Sequence, residues 1–200
     1  MFSTFIRNYF SINTMKSQPQ LAKQASDSGR IWYYAYMNAT YKTQVKDRLV
    51  TFTHLGNASL PPFSQVTSVA AIPFTKEGQL VVVNLHHRGL DLPGGHVEAY
   101  ETTPEETMNR EVMEEACMTV RAPILVDVVS SDYFQDRLSY MLFYAVYVDE
   151  LKEFIPNDES SERLVIDRGD FLRHYTAWDK DIMNDTIASA WRLLQESDQL

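Results

Sequence analysis

The spacing of hydrophobic and polar residues along the chain predicts both strands and helices. Two apolar, β-branched runs, Val66–Phe74 and Leu80–Leu85, flank the short polar segment Thr75–Gly78, a pattern that predicts a hairpin. Similar runs predict further strands at Leu49–His54, Ile124–Val129 and Leu138–Val148, and polar residues predict a loop at Ile155–Arg163.

The pattern changes to helical spacing after Thr103. Apolar residues recur at i, i+4 and i+8 (Met108, Val112 and Ala116), which predicts a helix from about 104 to 116. Thr103 and Glu106 have the spacing of a capping box. A second helix is predicted at Asp181–Gln195, with an apolar stripe that should pack on a sheet. Strands and helices that alternate on this scale predict an α/β sandwich.

The N-terminal part of the chain differs from the rest. We expect residues 1–30 to be an extension or tail and residues 31–200 to form one domain, in which the role of residues 31–63 is not assigned. The first 26 residues contain basic residues and no acid, and their apolar residues follow roughly helical spacing. This resembles an organellar transit peptide, although a helix docked on the domain has the same pattern.

Composition and charge exclude several classes of protein. A chain of 200 residues is long enough for one ordinary domain, and its net charge of −9 opposes binding to nucleic-acid polymers. The single cysteine, Cys117, excludes an intrachain disulfide and a multi-cysteine zinc site. No apolar run is long enough to span a membrane, so a soluble, cytoplasmic protein is expected.

Acidic residues are concentrated around the predicted helix. Seven glutamates fall within residues 98–115, and helical spacing brings Glu111, Glu114 and Glu115 to one edge. Each like-charge pair costs roughly 0.2 to 0.5 kcal/mol in an isolated helix. A divalent cation would reverse this repulsion, and carboxylate oxygens suit Mg²⁺ or Mn²⁺. A solvated acidic helix face is the alternative, and the helix dipole accounts for Glu105 and Glu106.

These glutamates belong to a longer segment whose residues recur at recognisable spacing: Leu92-Pro93-Gly94-Gly95, Glu101 and Arg110-Glu111-Val112-Met113-Glu114-Glu115. This segment resembles the Nudix box of the MutT-type hydrolases. Two features depart from the family pattern: eight residues instead of seven separate Glu101 from Arg110, and Cys117 replaces the closing glycine. The extra residue is expected in the loop at Thr102-Thr103, where insertions cost little.

The resemblance implies a fold, a reaction and a set of residue roles. The implied fold is an α/β/α sandwich with a mixed central sheet. The implied enzyme is a Nudix-type pyrophosphohydrolase that uses Mg²⁺ or Mn²⁺ to cleave the diphosphate linkage of a nucleoside diphosphate joined to another moiety. The implied metal ligands are Glu111, Glu115, Glu114, the backbone carbonyl of Gly94, and Glu101. The implied catalytic residues are Glu114, Glu115 and Arg110, with Arg110 orienting the carboxylates.

Other residues are weaker candidates. Arg88, His96 and Tyr133 are candidates for substrate binding, and Tyr133 lies close to where a tyrosine marks dinucleoside polyphosphate hydrolases in the family. The candidates for a general base in a distal loop are Asp158, Glu159 and Glu162. The expected partner is a small nucleotide diphosphate substrate, and no binding to a nucleic-acid polymer or a membrane is expected. The sequence leaves open whether the chain forms a homodimer.

Two other functions are compatible with such a segment. A Nudix-like module that senses a nucleotide without cleaving it would normally lose the Arg-Glu and Glu-Glu pairs, which this chain keeps. A metal-dependent isomerase of prenyl diphosphates would require a cysteine and a glutamate on facing strands, whereas Cys117 follows the predicted helix.

Overall fold

The computed structural model describes residues 39–45, 48–175 and 180–198. Within these ranges nine strands form one sheet. The strands are β1 Thr40–Val45, β2 Arg48–His54, β3 Val66–Phe74, β4 Leu80–Leu85, β5 Gly89–Asp91, β6 Gly94–His96, β7 Met118–Ser131, β8 Ser139–Leu151 and β9 Ser160–Ile166. The helices are α1 Pro104–Ala116, α2 Arg168–His174 and α3 Lys180–Ser197. The predicted extension at residues 1–30 lies outside the described residues.

The sheet is mixed, as predicted. Its strand order is β1-β2-β7-β8-β3-β4-β5, with β6 paired to β3 and β9 paired to β4. Strands β3 and β8 run parallel at the centre, and the other pairs are antiparallel. The predicted strands at Leu49–His54, Ile124–Val129 and Leu138–Val148 correspond to β2, part of β7 and β8.

Helices cover both faces of the sheet, so the predicted sandwich is confirmed. Successive residues of β4 belong to different apolar clusters, because side chains alternate between the two faces of a strand. Helix α1 packs on one face through Met108, Val112 and Ala116. Helix α3 packs on the other face through its predicted apolar stripe, which includes Met183, Ile187, Ala190 and Leu194.

The predicted hairpin of β3 and β4 forms, but the two strands soon separate. They pair beside the turn, where Phe74 lies opposite Leu80. Strand β6 then takes the place of β4 next to β3, with Gly94 opposite Ala70. A Cβ atom on Gly94 would lie 2.6 Å from the Ala70 Cα atom, so only glycine permits this approach. The approach brings the glycine pair of the Nudix-like segment against the central sheet.

The loop predicted at Ile155–Arg163 is partly wrong, because β9 begins at Ser160. Strand β9 pairs antiparallel with β4, and Ser160 is its one fully buried residue. A strand at the side of a sheet, with most of its side chains half-buried or exposed, lacks the apolar alternation on which the prediction depended. No helix in the described ranges has the length and apolar character needed to cross a bilayer.

Candidate active site

Helix α1 carries the central acidic residues, and its first turn is fixed by the predicted capping box. The Thr103 hydroxyl accepts a hydrogen bond from the Glu106 backbone N–H at 3.3 Å. In return, the Glu106 carboxylate accepts from the Thr103 N–H at 3.3 Å and from the Thr102 N–H at 2.6 Å. These bonds satisfy backbone donors that the helix itself leaves free, so α1 begins at a defined residue.

The C-terminal end of α1 is stabilised from across the molecule. Its last turn contains no basic residue, although a positive charge is favourable there. Arg163 of β9 supplies that charge, since its Nη1 donates to the Ala116 carbonyl at 2.8 Å and to the Cys117 carbonyl at 2.9 Å. Cys117 takes the left-handed conformation of the glycine it replaces, with a φ of 47°.

Three carboxylates meet beside the end of α1. Glu111, Glu115 and Glu159 each place an oxygen within 4.8 Å of the others. Glu111 and Glu115 are 5% and 3% exposed, whereas Glu159 is exposed. Of the three distal candidates, Glu159 is therefore the one brought to the helix, while Asp158 and Glu162 are exposed residues outside this group.

Burial dominates the electrostatics of this carboxylate cluster. Loss of hydration raises the pKa of Glu111 to about 7 and the pKa of Glu115 to about 8. Arg110 opposes the shift at Glu111, and the Gly94 N–H and Arg88 oppose it at Glu115. The negative charge of Glu159 also raises the pKa of Glu111 and of Glu115. A cation bound between these carboxylates would therefore reduce their electrostatic repulsion.

Arg110 binds four acceptors at once. Its Nε donates to Glu101 at 2.8 Å, and its Nη1 donates to Glu111 at 2.7 Å and to Glu114 at 3.0 Å. Its Nη2 donates to the His96 carbonyl at 2.7 Å. The guanidinium thereby fixes Glu111 and ties strand β6 to the helix.

Glu101 and Glu114 lie on either side of this arginine. Glu101 Oε2 accepts from the Glu98 N–H and from the Thr107 hydroxyl, both at 2.7 Å, and its Oε1 accepts from Arg110, so both oxygens are engaged. The Glu114 side chain is 53% exposed and lies outside the carboxylate cluster. Both residues therefore contact Arg110, and neither completes the cluster in this structure.

Comparison with known proteins decides the family. A model of the NUDIX domain matches residues 64–184, more than half of the chain. The chain belongs to the Nudix family. This membership confirms the resemblance to MutT-type hydrolases and the predicted enzyme class, a Nudix-type pyrophosphohydrolase. Among curated protein sequences, none matches the chain significantly.

Solved structures show the same fold at low sequence identity. The Bacillus subtilis pyrophosphohydrolase BsRppH, solved as a point mutant, is 19% identical, with a TM-score of 0.58 over 74% of this chain and 92% of its own. The NUDIX domain of Shewanella oneidensis NrtR, solved with ADP ribose, is 18% identical, with a TM-score of 0.50 over 64% of this chain and 92% of its own. A NUDIX hydrolase from Nitrosomonas europaea is 17% identical, with a TM-score of 0.50 over 64% of this chain and 88% of its own.

The glycine pair of the Nudix segment contacts both buried carboxylates. The Gly94 N–H donates to Glu115 Oε2 at 2.8 Å. A Cβ atom on Gly95 would lie 2.7 Å from Glu111 Oε2, closer than any real contact, so glycine leaves room for that carboxylate. The extra residue before Arg110 does not interrupt α1, since Thr102 and Thr103 precede its first residue.

A cavity of about 140 Å³ lies next to the Nudix segment and contains two of the three substrate-binding candidates. Arg88 lines it and approaches Glu115 to 3.8 Å and Asp91 to 3.5 Å. His96 also lines it, and burial lowers the pKa of this imidazole. Tyr133 is not among the lining residues; its ring packs on the core and lies 5.4 Å from the Arg48 guanidinium.

Several residues of this site belong to no motif in the sequence and were not predicted. Phe52, His54 and Asp91 also line the cavity, and His54 pairs with Asp127. Asn157 holds the loop before Glu159: its Oδ1 accepts from the Glu159 N–H at 2.8 Å, and its Nδ2 donates to the Glu114 carbonyl at 2.6 Å. The strand prediction at Leu49–His54 was the one available signal for His54, since no motif marks the pair.

Proposed function

We propose that this protein hydrolyses the diphosphate linkage of a nucleoside diphosphate derivative with the help of Mg²⁺ or Mn²⁺. The observation that carries the proposal is the cluster of Glu111, Glu115 and Glu159 beside a cavity that contains Arg88. A cavity of this kind accommodates the organic part of the substrate, while the acidic edge holds the cation that its diphosphate requires.

The donor set of the cluster fits a hard divalent cation. Its three groups are carboxylates, without nitrogen or sulfur ligands, and two of them are buried. Glu111 and Glu115 would hold the ion, with the Gly94 carbonyl as a further ligand. Glu101 is better suited to hold the loop before α1, because both of its oxygens already accept hydrogen bonds. Glu114 is proposed to position Arg110 and to reach the ion through water.

The chain's own residues divide the remaining tasks of hydrolysis. When bound, the cation neutralises the diphosphate and makes a coordinated water more acidic. Arg88 faces the cavity beside Glu115 and supplies positive charge to a phosphate. Arg110 fixes the orientation of Glu111. Glu159 is the exposed member of the cluster, and we assign to it the proton of the attacking water.

The test is a screen for products with and without metal. Nucleoside triphosphates, dinucleoside polyphosphates, nucleotide sugars and ADP-ribose are incubated with the protein in Mg²⁺ or in chelator, and products are separated by ion-exchange chromatography. We expect one substrate class to yield a nucleoside monophosphate when Mg²⁺ is present and no product in chelator. Binding of a nucleotide without any cleavage would instead support the alternative, a sensing module.

Gly95 offers a separate test of the carboxylate geometry. In the Gly95→Ala variant the new methyl group would displace the Glu111 carboxylate, the mobile end of a flexible side chain, so the fold should survive. We expect the Mg²⁺ concentration needed for half-maximal rate to rise by about 10-fold or more, with little change in the melting temperature. The control is Gly169→Ala, because a Cβ atom there meets nothing within 4 Å. An unchanged Mg²⁺ dependence in Gly95→Ala would contradict the assignment of Glu111.

A further inference from the structure

One wall of the cavity is built by residues that precede the matched Nudix domain. The domain match begins at residue 64, whereas the hairpin of β1 and β2 spans residues 40–54. Strand β2 pairs antiparallel with β7, with His54 opposite Val129. Phe52 and His54 of this hairpin line the same cavity as Arg88. The hairpin therefore contributes Phe52 and His54 to the cavity from outside the matched segment.

His54 is a buried imidazole held in one orientation. Its Nδ1 is hydrogen-bonded to Asp127 Oδ2, and the Tyr41 ring packs edge-on against it with ring centroids 5.8 Å apart. The second oxygen of Asp127 accepts from the Gly56 N–H at 2.9 Å. Because a carboxylate oxygen accepts, the ring hydrogen of the neutral imidazole lies on Nδ1, and Nε2 of that form is an acceptor. Nε2 makes no hydrogen bond within the described part of the chain.

The surroundings of His54 in the cavity are apolar and aromatic. The side chains of Phe52, Val129, Met141, Phe143 and Met183 line that region, while Arg88 and the glycine pair lie toward the carboxylate cluster. The polar side chains of Ser68, Asp91, His96 and Tyr175 complete the lining of the cavity. An apolar region that presents an oriented acceptor is suited to a flat ring that carries an N–H group. A nucleobase has these properties, and its diphosphate would extend toward Glu115.

We propose that His54 reads the nucleobase of the substrate, with Nε2 accepting a hydrogen bond from an N–H of the base. The hairpin of β1 and β2 then sets base preference, and Asp127 is a positioning residue that fixes the tautomer of His54. This inference rests on the proposed function, since it places the base of that substrate in the cavity.

The test uses nucleoside monophosphates as probes. Binding of AMP, GMP, CMP and UMP to the full chain in chelator is measured by NMR titration, with the ring nitrogens of His54 observed directly. In the wild type we expect a preference among the four and a shift of the Nε2 signal on binding. The His54→Phe variant keeps an aromatic ring but lacks the acceptor, so affinity for the preferred monophosphate should fall about 10-fold or more and the preference should disappear. His174→Phe, an exposed histidine outside the cavity, is the matched control.

The Asp127→Asn variant tests the role of the tautomer. The Gly56 N–H holds the oxygen of the new amide, so the amide NH₂ group faces His54 Nδ1. Because Nδ1 must then accept a hydrogen bond, the ring hydrogen of His54 moves from Nδ1 to Nε2. We expect the nitrogen spectrum to show this exchange and the base preference to be lost or altered. A merely structural pair would change the melting temperature without changing base preference.

The outcomes separate this inference from the proposed function. If hydrolysis is metal-dependent but His54→Phe retains the wild-type base preference, or the His54 nitrogens do not respond to any monophosphate, His54 does not read the base and the proposed function stands. If His54→Phe does not fold, the wild-type Nε2 response and the Asp127→Asn result decide the question. If the wild type cleaves nothing yet binds monophosphates through His54, the proposed function is wrong and the base site remains.

Discussion

Replacing Glu115 by Gln is expected to slow Mg²⁺-dependent hydrolysis by about 100-fold or more. Glu115 is 3% exposed, accepts from the Gly94 N–H and belongs to the carboxylate cluster. Glutamine can still accept that hydrogen bond, so the change removes the charge that a cation requires and leaves the local packing in place. Loss of one anionic ligand forfeits several kcal/mol of transition-state stabilisation. The measurement is kcat/KM for the substrate found in the screen, over a range of Mg²⁺ concentrations.

The matched control for this variant is Glu77→Gln. Glu77 is an exposed glutamate in the turn between β3 and β4, outside the carboxylate cluster and the cavity lining. We expect this variant to keep the wild-type rate. Full turnover by Glu115→Gln would show that the reaction does not depend on α1, and the assignment of the active site would be wrong.

In chelator, the wild-type protein is expected to lose stability as the pH rises from about 5.5 to 8.5, relative to a double variant with Glu111→Gln and Glu115→Gln. Burial raises the pKa of Glu111 from 4.5 to about 7 and that of Glu115 from 4.5 to about 8. In this pH window the folded protein binds more protons than the unfolded chain, so the free energy of unfolding falls with rising pH. Stability is highest while both groups are protonated, and the loss is complete above the folded pKa values.

The double variant should lack this loss because glutamine does not titrate. At pH 8 without metal we expect it to be more stable than the wild type by about 1 kcal/mol or more, since it also lacks the repulsion between two charges on one helix. The difference between the two proteins should shrink toward pH 5.5. Denaturant unfolding at several pH values in chelator measures the free energy of unfolding of both proteins. Subtracting one from the other removes the contribution of groups that both contain, such as His96.

Magnesium should stabilise the wild type at pH 8 and leave the double variant almost unchanged. A wild-type site at 100 times its dissociation constant gains about 2.7 kcal/mol from the ion, whereas the double variant should gain little. A double variant that unfolds more easily than the wild type in chelator at pH 8, or that gains as much from Mg²⁺, would show that Glu111 and Glu115 are structural and that the ion binds elsewhere.

The local features of α1 could be predicted from the sequence because they depend on residues close in the chain. Thr103 and Glu106 are three residues apart, and the capping box forms as predicted. The spacing of Met108, Val112 and Ala116 identified the buried face of α1, and the stripe of α3 was found in the same way. The family could be recognised because the segment from Gly95 to Glu115 keeps its charged residues at nearly fixed spacing.

Other parts of the site could not be predicted because they depend on strand pairing over long distances in the sequence. Strand β9 carries Arg163 to the end of α1, and the Asn157 turn before it brings Glu159 toward Glu111. The separation of β3 and β4, which seats Gly94 against Ala70, likewise depends on the position of β6. A polar strand has no apolar alternation, so the sequence pattern predicts a loop at Ile155–Arg163 where the structure has β9 from Ser160.

The sequence by itself determined the helix that carries the carboxylates, the faces that α1 and α3 bury, and membership of the Nudix family. Only the tertiary structure decided which distal acid joins Glu111 and Glu115 and that His54 and Asp127 meet beside the cavity. The physical reason is the range of the interactions. Helix spacing and capping act over a few residues, whereas His54 and Asp127 are 73 positions apart and meet because β2 pairs with β7.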